Sequence, residues 1–133
     1  MSDLWFVMLG GAFGSGMRWL VSRASARFLG SSFPWGTHIV NLVGCLLIGF
    51  TLGLVEHGIG GRRLRPLAVV GFLGGLTTFS SFAFETVDLA RRGEWLKAGA
   101  NFALDNLGGM ALAAFGLALG IAVAASVRGG RPL

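Results

Sequence analysis

Apolar positions run in four blocks, residues 4–21, 35–55, 66–84 and 106–127, and polar or charged residues gather between them. Each block matches the roughly 17–25 residues that an α-helix needs to cross a bilayer. The intervening stretches are short, so neighbouring helices should run antiparallel. With their flanks, the predicted helices cover about 4–27, 35–56, 66–90 and 95–127, and residues 1–133 read as one transmembrane domain. The fold class is therefore an all-α membrane protein. The third block departs from a plain span. Its middle, Gly74-Gly75-Leu76-Thr77-Thr78, joins two glycines to two β-branched residues and makes poor helix. A third helix broken at its centre is the expectation. In hydrocarbon an opened backbone survives only where protein or a water-filled cavity satisfies it again, and such breaks present carbonyl oxygens as ion ligands.

Small residues recur at fixed spacing. Gly10/Gly14, Gly49/Gly53, Gly71/Gly75 and Gly116/Gly120 put one GxxxG pair in each block, among 23 glycines in all. Such pairs let helix backbones approach closely, so four of them predict a tightly packed bundle. Trp5, Trp19, Trp35 and Trp95 stand at block ends, where aromatic belts form.

Composition agrees with the pattern. The chain is 53% hydrophobic and 13% charged, with mean hydropathy +0.71, against roughly 25% charge in soluble domains. Arg18 interrupts the opening block and no small-residue cleavage site follows, which argues against a signal peptide. Cys45 is the only cysteine, so no internal disulfide can form. The net charge of +5 comes from scattered residues at helix ends, without the stripe or motif of a nucleic-acid reader. Lipid headgroups are the partners that this distribution suits. The 11 Lys and Arg divide into Arg62, Arg63, Arg65, Arg128 and Arg131 on one side, and Arg18, Arg23, Arg27, Arg91, Arg92 and Lys97 on the other. Five against six leaves the positive-inside rule almost no bias to act on, which predicts insertion in both orientations and an antiparallel homodimer.

Catalytic chemistry finds no footing. His38 and His57 are the only histidines, Cys45 has no partner base, and no P-loop or zinc spacing occurs. The chain is not read as an enzyme. Polar residues inside spans are costly and usually functional, and Asn41 is the deepest of them; Thr37, four residues earlier, shares its face. His38 reads as an interfacial hydrogen-bonding group. Arg18 suits a vestibule charge or a snorkelling end group, and Glu85 and Asp105 suit neutralised or paired acids. Phe79 and Phe82 follow the weak helix centre on one face, with Ser80 and Ser81 between them. Ring edges are positive and an amide can donate, a mixture suited to conducting an anion, which needs binding that is favourable but weak.

Three motifs resemble those of the small bacterial fluoride channels called CrcB or Fluc: Gly10-Gly-Ala-Phe-Gly-Ser-Gly-Met-Arg18, Gly36-Thr-His-Ile-Val-Asn41-Leu-Val-Gly44, and Gly71-Phe-Leu-Gly-Gly-Leu-Thr-Thr-Phe-Ser-Ser-Phe82 with Glu85. The resemblance implies a dual-topology dimer with two antiparallel pores that passively exports fluoride through the cell (inner) membrane and so confers fluoride resistance. It implies a structural sodium ion at the dimer centre, not transported, held by backbone carbonyls at Gly74 and Thr77. The family's pore phenylalanines match Phe79 and Phe82, its pore asparagine Asn41, and its polar track begins at a threonine matching Thr37. On the fourth helix the family often has tyrosine, serine and a second hydroxyl at positions that here read Phe102, Asn106 and Met110. Asn106 can still bond an anion, whereas Met110 cannot donate, and Asp105 would repel one. The partner that the resemblance implies is a second copy or a homologous chain.

Two other classes compete. A small dual-topology proton-coupled multidrug exporter also uses four short helices, but it needs an embedded carboxylate and only Asp105 could serve. A non-conducting membrane protein that helps a partner assemble would show the same small-residue packing. The charge balance makes a test of its own: C-terminal reporter fusions or cysteine labelling should detect termini on both sides of the membrane. Termini confined to one side would refute dual insertion.

Overall fold

The computed structural model describes residues 2–129, as four helical runs that are each long and apolar enough to cross a membrane. Helix α1 spans Ser2–Leu29 and α2 spans Trp35–Glu56. The third run begins at Arg65, with Pro66 in its first turn, where a missing N–H costs nothing. It winds with π spacing over Arg65–Leu73 and as α-helix over Gly74–Leu76, together labelled α3; α4 follows over Phe79–Arg91. The fourth run, α5, is Trp95–Gly129 and includes a π-wound stretch at Leu104–Gly108.

Helix ends are closed by glycine. Gly58 and Gly93 take positive φ (72° and 77°), and the paired bonds Gly58 N–H to Val55 O and Ile59 N–H to Leu54 O recur as Gly93 to Ala90 and Glu94 to Leu89, all at 2.9 Å. Both are Schellman turns, which satisfy carbonyls that the helix leaves open. At the second turn Arg92 pairs with Asp88 and Glu94, and Lys97 also binds Glu94. The Lys97 hydrogen bond and the two cations hold the Glu94 carboxyl below its usual range.

The four GxxxG pairs mate two by two. A side chain at Gly10 or Gly14 would strike the backbone of α3 at Leu67 and Phe72, while one at Gly71 or Gly75 would come within 2.7 Å of Val7 O or Gly11 O on α1. Gly49 and Gly53 meet Ala113 and Leu117 on α5 in the same reciprocal way, and Gly116 and Gly120 meet Leu46 and Phe50 on α2. In both pairs the contact advances in the same direction along the two helices, so α1 lies parallel to α3 and α2 parallel to α5. Dispersion between closely packed backbones, which lipid cannot match, holds each pair.

Buried side chains are few and often polar. Val40, Leu73 and Leu76 form the apolar centre, with Val21, Ile48 and Phe72 packed on it. Ser25, Thr37, His38, Thr78 and Asn101 are buried, whereas Phe13, Phe28, Phe84 and Leu96 are exposed. Apolar surface outside and polar groups inside is the distribution that a hydrocarbon solvent selects. The glycine contacts make a prediction. Gly116→Val should lower thermal stability in detergent by about 3 kcal/mol or more, the upper range of overpacking, since backbone must move. Gly16→Ala, which would meet nothing within 4 Å, should leave it unchanged or raise it by up to about 1 kcal/mol, the helix propensity that alanine gains over glycine.

Candidate functional site

The helical run stops at Leu76 and restarts at Phe79. Thr77 (φ −79°, ψ 156°) and Thr78 (φ −150°, ψ 109°) are extended. Gly74 and Gly75, which were expected to share the weak centre, stay helical, because Gly75 is pressed against the Gly11 backbone. The interruption therefore rests on the threonines. Thr77 turns both its N–H and its hydroxyl to Leu73 O, each at 3.0 Å. Thr78 gives its N–H to Asn41 Oδ1 at 2.8 Å, and its carbonyl accepts from Asn41 Nδ2 at 3.2 Å. One amide thus closes both backbone groups of an extended residue. The Thr78 hydroxyl then caps α4, accepting from Ser81 N–H at 3.2 Å and lying 3.0 Å from Ser81 Oγ and 3.3 Å from Ser80 Oγ.

This exchange frees carbonyls. In an unbroken helix Gly74 O would accept from Thr78 N–H and Thr77 O from Ser81 N–H. Both donors are turned to side chains instead. The two oxygens belong to residues that line a cavity of about 290 Å³, shared with Asn41, Gly44, Cys45, Phe79, Phe82, Asp105 and Asn106. A Cβ at Gly44 would collide with Thr77 Cγ2, so the approach of α2 to the interruption requires glycine there.

Six of the residues singled out in the sequence, Asn41, Gly74, Thr77, Phe79, Phe82 and Asn106, border this one cavity. Phe79 is 76% exposed and Phe82 5%, with ring centroids 5.5 Å apart at 53°. Phe82 also meets Phe102 at 6.4 Å. Asn106 donates back to Phe102 O at 2.7 Å, and Met110 is exposed. Thr37 and Glu85 lie apart from the cavity, joined by a 2.8 Å hydrogen bond from the Thr37 hydroxyl to Glu85 Oε1. They border a second cavity of about 270 Å³ with Ser22, Asp88 and Arg92. Ser80 is exposed and reaches the site only through Thr78. Arg18 is half-buried on α1 and lines neither cavity.

The partners in the following polar links were not named from the sequence. His38 Nδ1 lies 3.0 Å from Asp105 Oδ1, with side chains 7% and 6% exposed, so this histidine is buried within the protein. Asp105 Oδ2 is 3.5 Å from Asn41 Nδ2. Deeper still, Asn101 Nδ2 donates to Thr86 Oγ1 at 2.8 Å, and the Thr86 hydroxyl donates to Phe82 O at 2.8 Å. Among the described residues no three of His, Cys, Asp and Glu converge as metal ligands.

Over residues 5–117 the chain matches the profile of the family described as CrcB-like protein, Camphor Resistance (CrcB). It is 46% identical, over 101 residues, to a protein of Aeromonas salmonicida (strain A449) named fluoride-specific ion channel FluC, a match covering 75% of this chain and 81% of that one. A protein of the same name from Maridesulfovibrio salexigens is 40% identical over 116 residues, or 86% of this chain and 92% of the relative. Another, from Rhizobium etli (strain CIAT 652), is 41% identical over 120 residues, 90% and 96% of the two chains.

Because Asn41 serves both backbone groups of Thr78, Asn41→Leu should destabilise the protein by about 2 kcal/mol, the scale of leaving buried polar groups unpaired. Thermal unfolding in detergent measures the loss, and amide exchange should accelerate at Thr78. Unchanged protection at Thr78 would show that the pair does not hold the interruption.

Proposed function

This chain belongs to the CrcB family, and from that premise we propose that it is a fluoride channel, passing fluoride passively out of the cell across the inner membrane and so conferring resistance to it. The observation that carries the reading is that Asn41, Phe79, Phe82 and two residues whose carbonyls lose their helical donors, Gly74 and Thr77, border one cavity, in a chain 40–46% identical to proteins named fluoride-specific channels. Fluoride is small and tightly hydrated, so removing its water without replacement is prohibitive. In this reading the second N–H of Asn41, held only at 3.5 Å by Asp105, turns to the halide. The positive edges of Phe79 and Phe82 give it further, weaker contacts. Thr37, Ser80 and Asn106 extend the polar route, and Arg18 and Glu85 serve its mouths. Such partial, adjustable binding lets an ion leave as well as enter.

The active form in this proposal is a dual-topology antiparallel homodimer, with sodium as a structural ion at its centre. The donor set fits that ion. Neutral carbonyl oxygens suit a hard cation, and the interruption strips Gly74 O and Thr77 O of their helical donors. Gly74 and Thr77 of each subunit would hold it, and when bound it would supply a fixed positive charge that offsets anion desolvation. An exporter driven by protons is less well supported: its one candidate carboxylate, Asp105, is buried against His38, and the relatives carry the name of channels.

Purified protein in chloride-free liposomes loaded with potassium fluoride should release fluoride to an electrode once a potassium ionophore is added, with no proton gradient. Silence under those conditions would reject the channel reading. Phe82→Ile should slow release by roughly two- to tenfold, the equivalent of one aromatic contact of about 0.5–1.5 kcal/mol, with the dimer still assembled. Thr77→Ser, which keeps the carbonyl, should have little effect.

A further inference from the structure

An anion route is a poor place for an acid, yet Asp105 borders the same cavity as Asn41 and Phe82. Among the described residues no arginine or lysine lines that cavity, so no cationic side chain of those types stands beside the carboxylate there. What stands behind it is His38, reaching across from α2 with Nδ1 3.0 Å from Asp105 Oδ1. Among the described residues neither of these two atoms has an aligned hydrogen-bond partner, so they meet as a close ion-pair contact, and both side chains are more than nine-tenths buried. An ionised carboxylate left alone at this depth would be costly in itself and would repel an approaching halide along the cavity. An imidazolium facing a carboxylate at this separation makes a pair with no net charge.

We propose that His38 is a charge-compensating residue for conduction: it cancels Asp105 so that an acid can hold the Asn41 amide while no ion is bound, without closing the route to anions. The idea rests on the fluoride-channel reading. Asp105 Oδ2 faces Asn41 Nδ2, and Asn41 in turn closes the backbone of Thr78. The carboxylate is thereby useful as a hydrogen-bond acceptor at the point where its charge is harmful. His38 keeps the acceptor and removes the charge. It acts through Asp105 and has no need to touch the ion.

The order of effects among variants separates compensation from simple packing. Fluoride efflux from liposomes at neutral pH is compared for the wild type, His38→Ala, Asp105→Asn and the double variant, each checked for dimer assembly by gel filtration. His38→Gln, closer in size and neutral, serves in place of His38→Ala if that variant does not assemble. Removing His38 alone should slow efflux by at least roughly tenfold, as an uncompensated like charge does. Asp105→Asn should stay within about threefold of wild type, because an amide oxygen still accepts from Asn41. The double variant should recover most of the flux that the loss of His38 removed. A His38 variant that conducts like wild type overturns the proposal. So does a double variant as slow as, or slower than, the His38 variant, since removing the acid should also remove the charge that the loss of His38 exposes. A silent wild type would reject the channel reading itself, whereas a conducting wild type without rescue rejects only the compensation.

Discussion

The organising interaction of this protein is the double hydrogen bond between the side-chain amide of Asn41 and the backbone of Thr78. A peptide that leaves helical geometry inside a membrane exposes an N–H and a C=O that lipid cannot bind. An amide is the side chain that can answer both, offering an acceptor and a donor from one planar group. Everything near the site follows from that exchange. The Thr78 N–H no longer serves Gly74 O, the Thr78 hydroxyl is left to cap α4, and Phe79 and Phe82 start a new helix at a fixed offset from α2.

The exchange depends on how closely the helices approach. Asn41 reaches Thr78 because α2 comes near enough for Gly44 to sit against Thr77. Parallel glycine pairs then lock α1 to α3 and α2 to α5, so α3, which ends at the interruption, and α2, which reaches it, are each held by a second helix. Rigid pairing on both sides is what confines the irregular backbone to two residues. Without it, an opened helix would relax toward the nearest continuous geometry, since helical bonds are the default where no water competes.

Much of this was legible in the chain. Spans could be read from length and hydropathy, because both are local properties. The small-residue pairs were visible too, although which pair meets which was not: Gly10 and Gly71, or Gly53 and Gly120, are more than 60 positions apart. The weak centre of the third run was read from propensity, yet Gly74 and Gly75 proved helical, since packing against α1 overrides a propensity of about 1 kcal/mol. Asn41 stood out as an amide in a span, but its partner could not, being a backbone group 37 positions away. His38 and Asp105 were each weighed singly for the same reason. Asn101 and Thr86 drew no attention, because a buried amide bonded to a hydroxyl leaves no periodic mark in a sequence.

Phe79 and Phe82 show how such hidden links divide labour between residues that look equivalent. They are three apart on one helix and border one cavity, yet one is open and the other enclosed. Phe82 is fixed twice within the chain, by the Phe102 ring and by a carbonyl tied through Thr86 to Asn101 on α5. Phe79 has its neighbour Phe82 and otherwise an open face. One ring is therefore fixed by the fold of the single chain, and the other is left by that fold without a second wall.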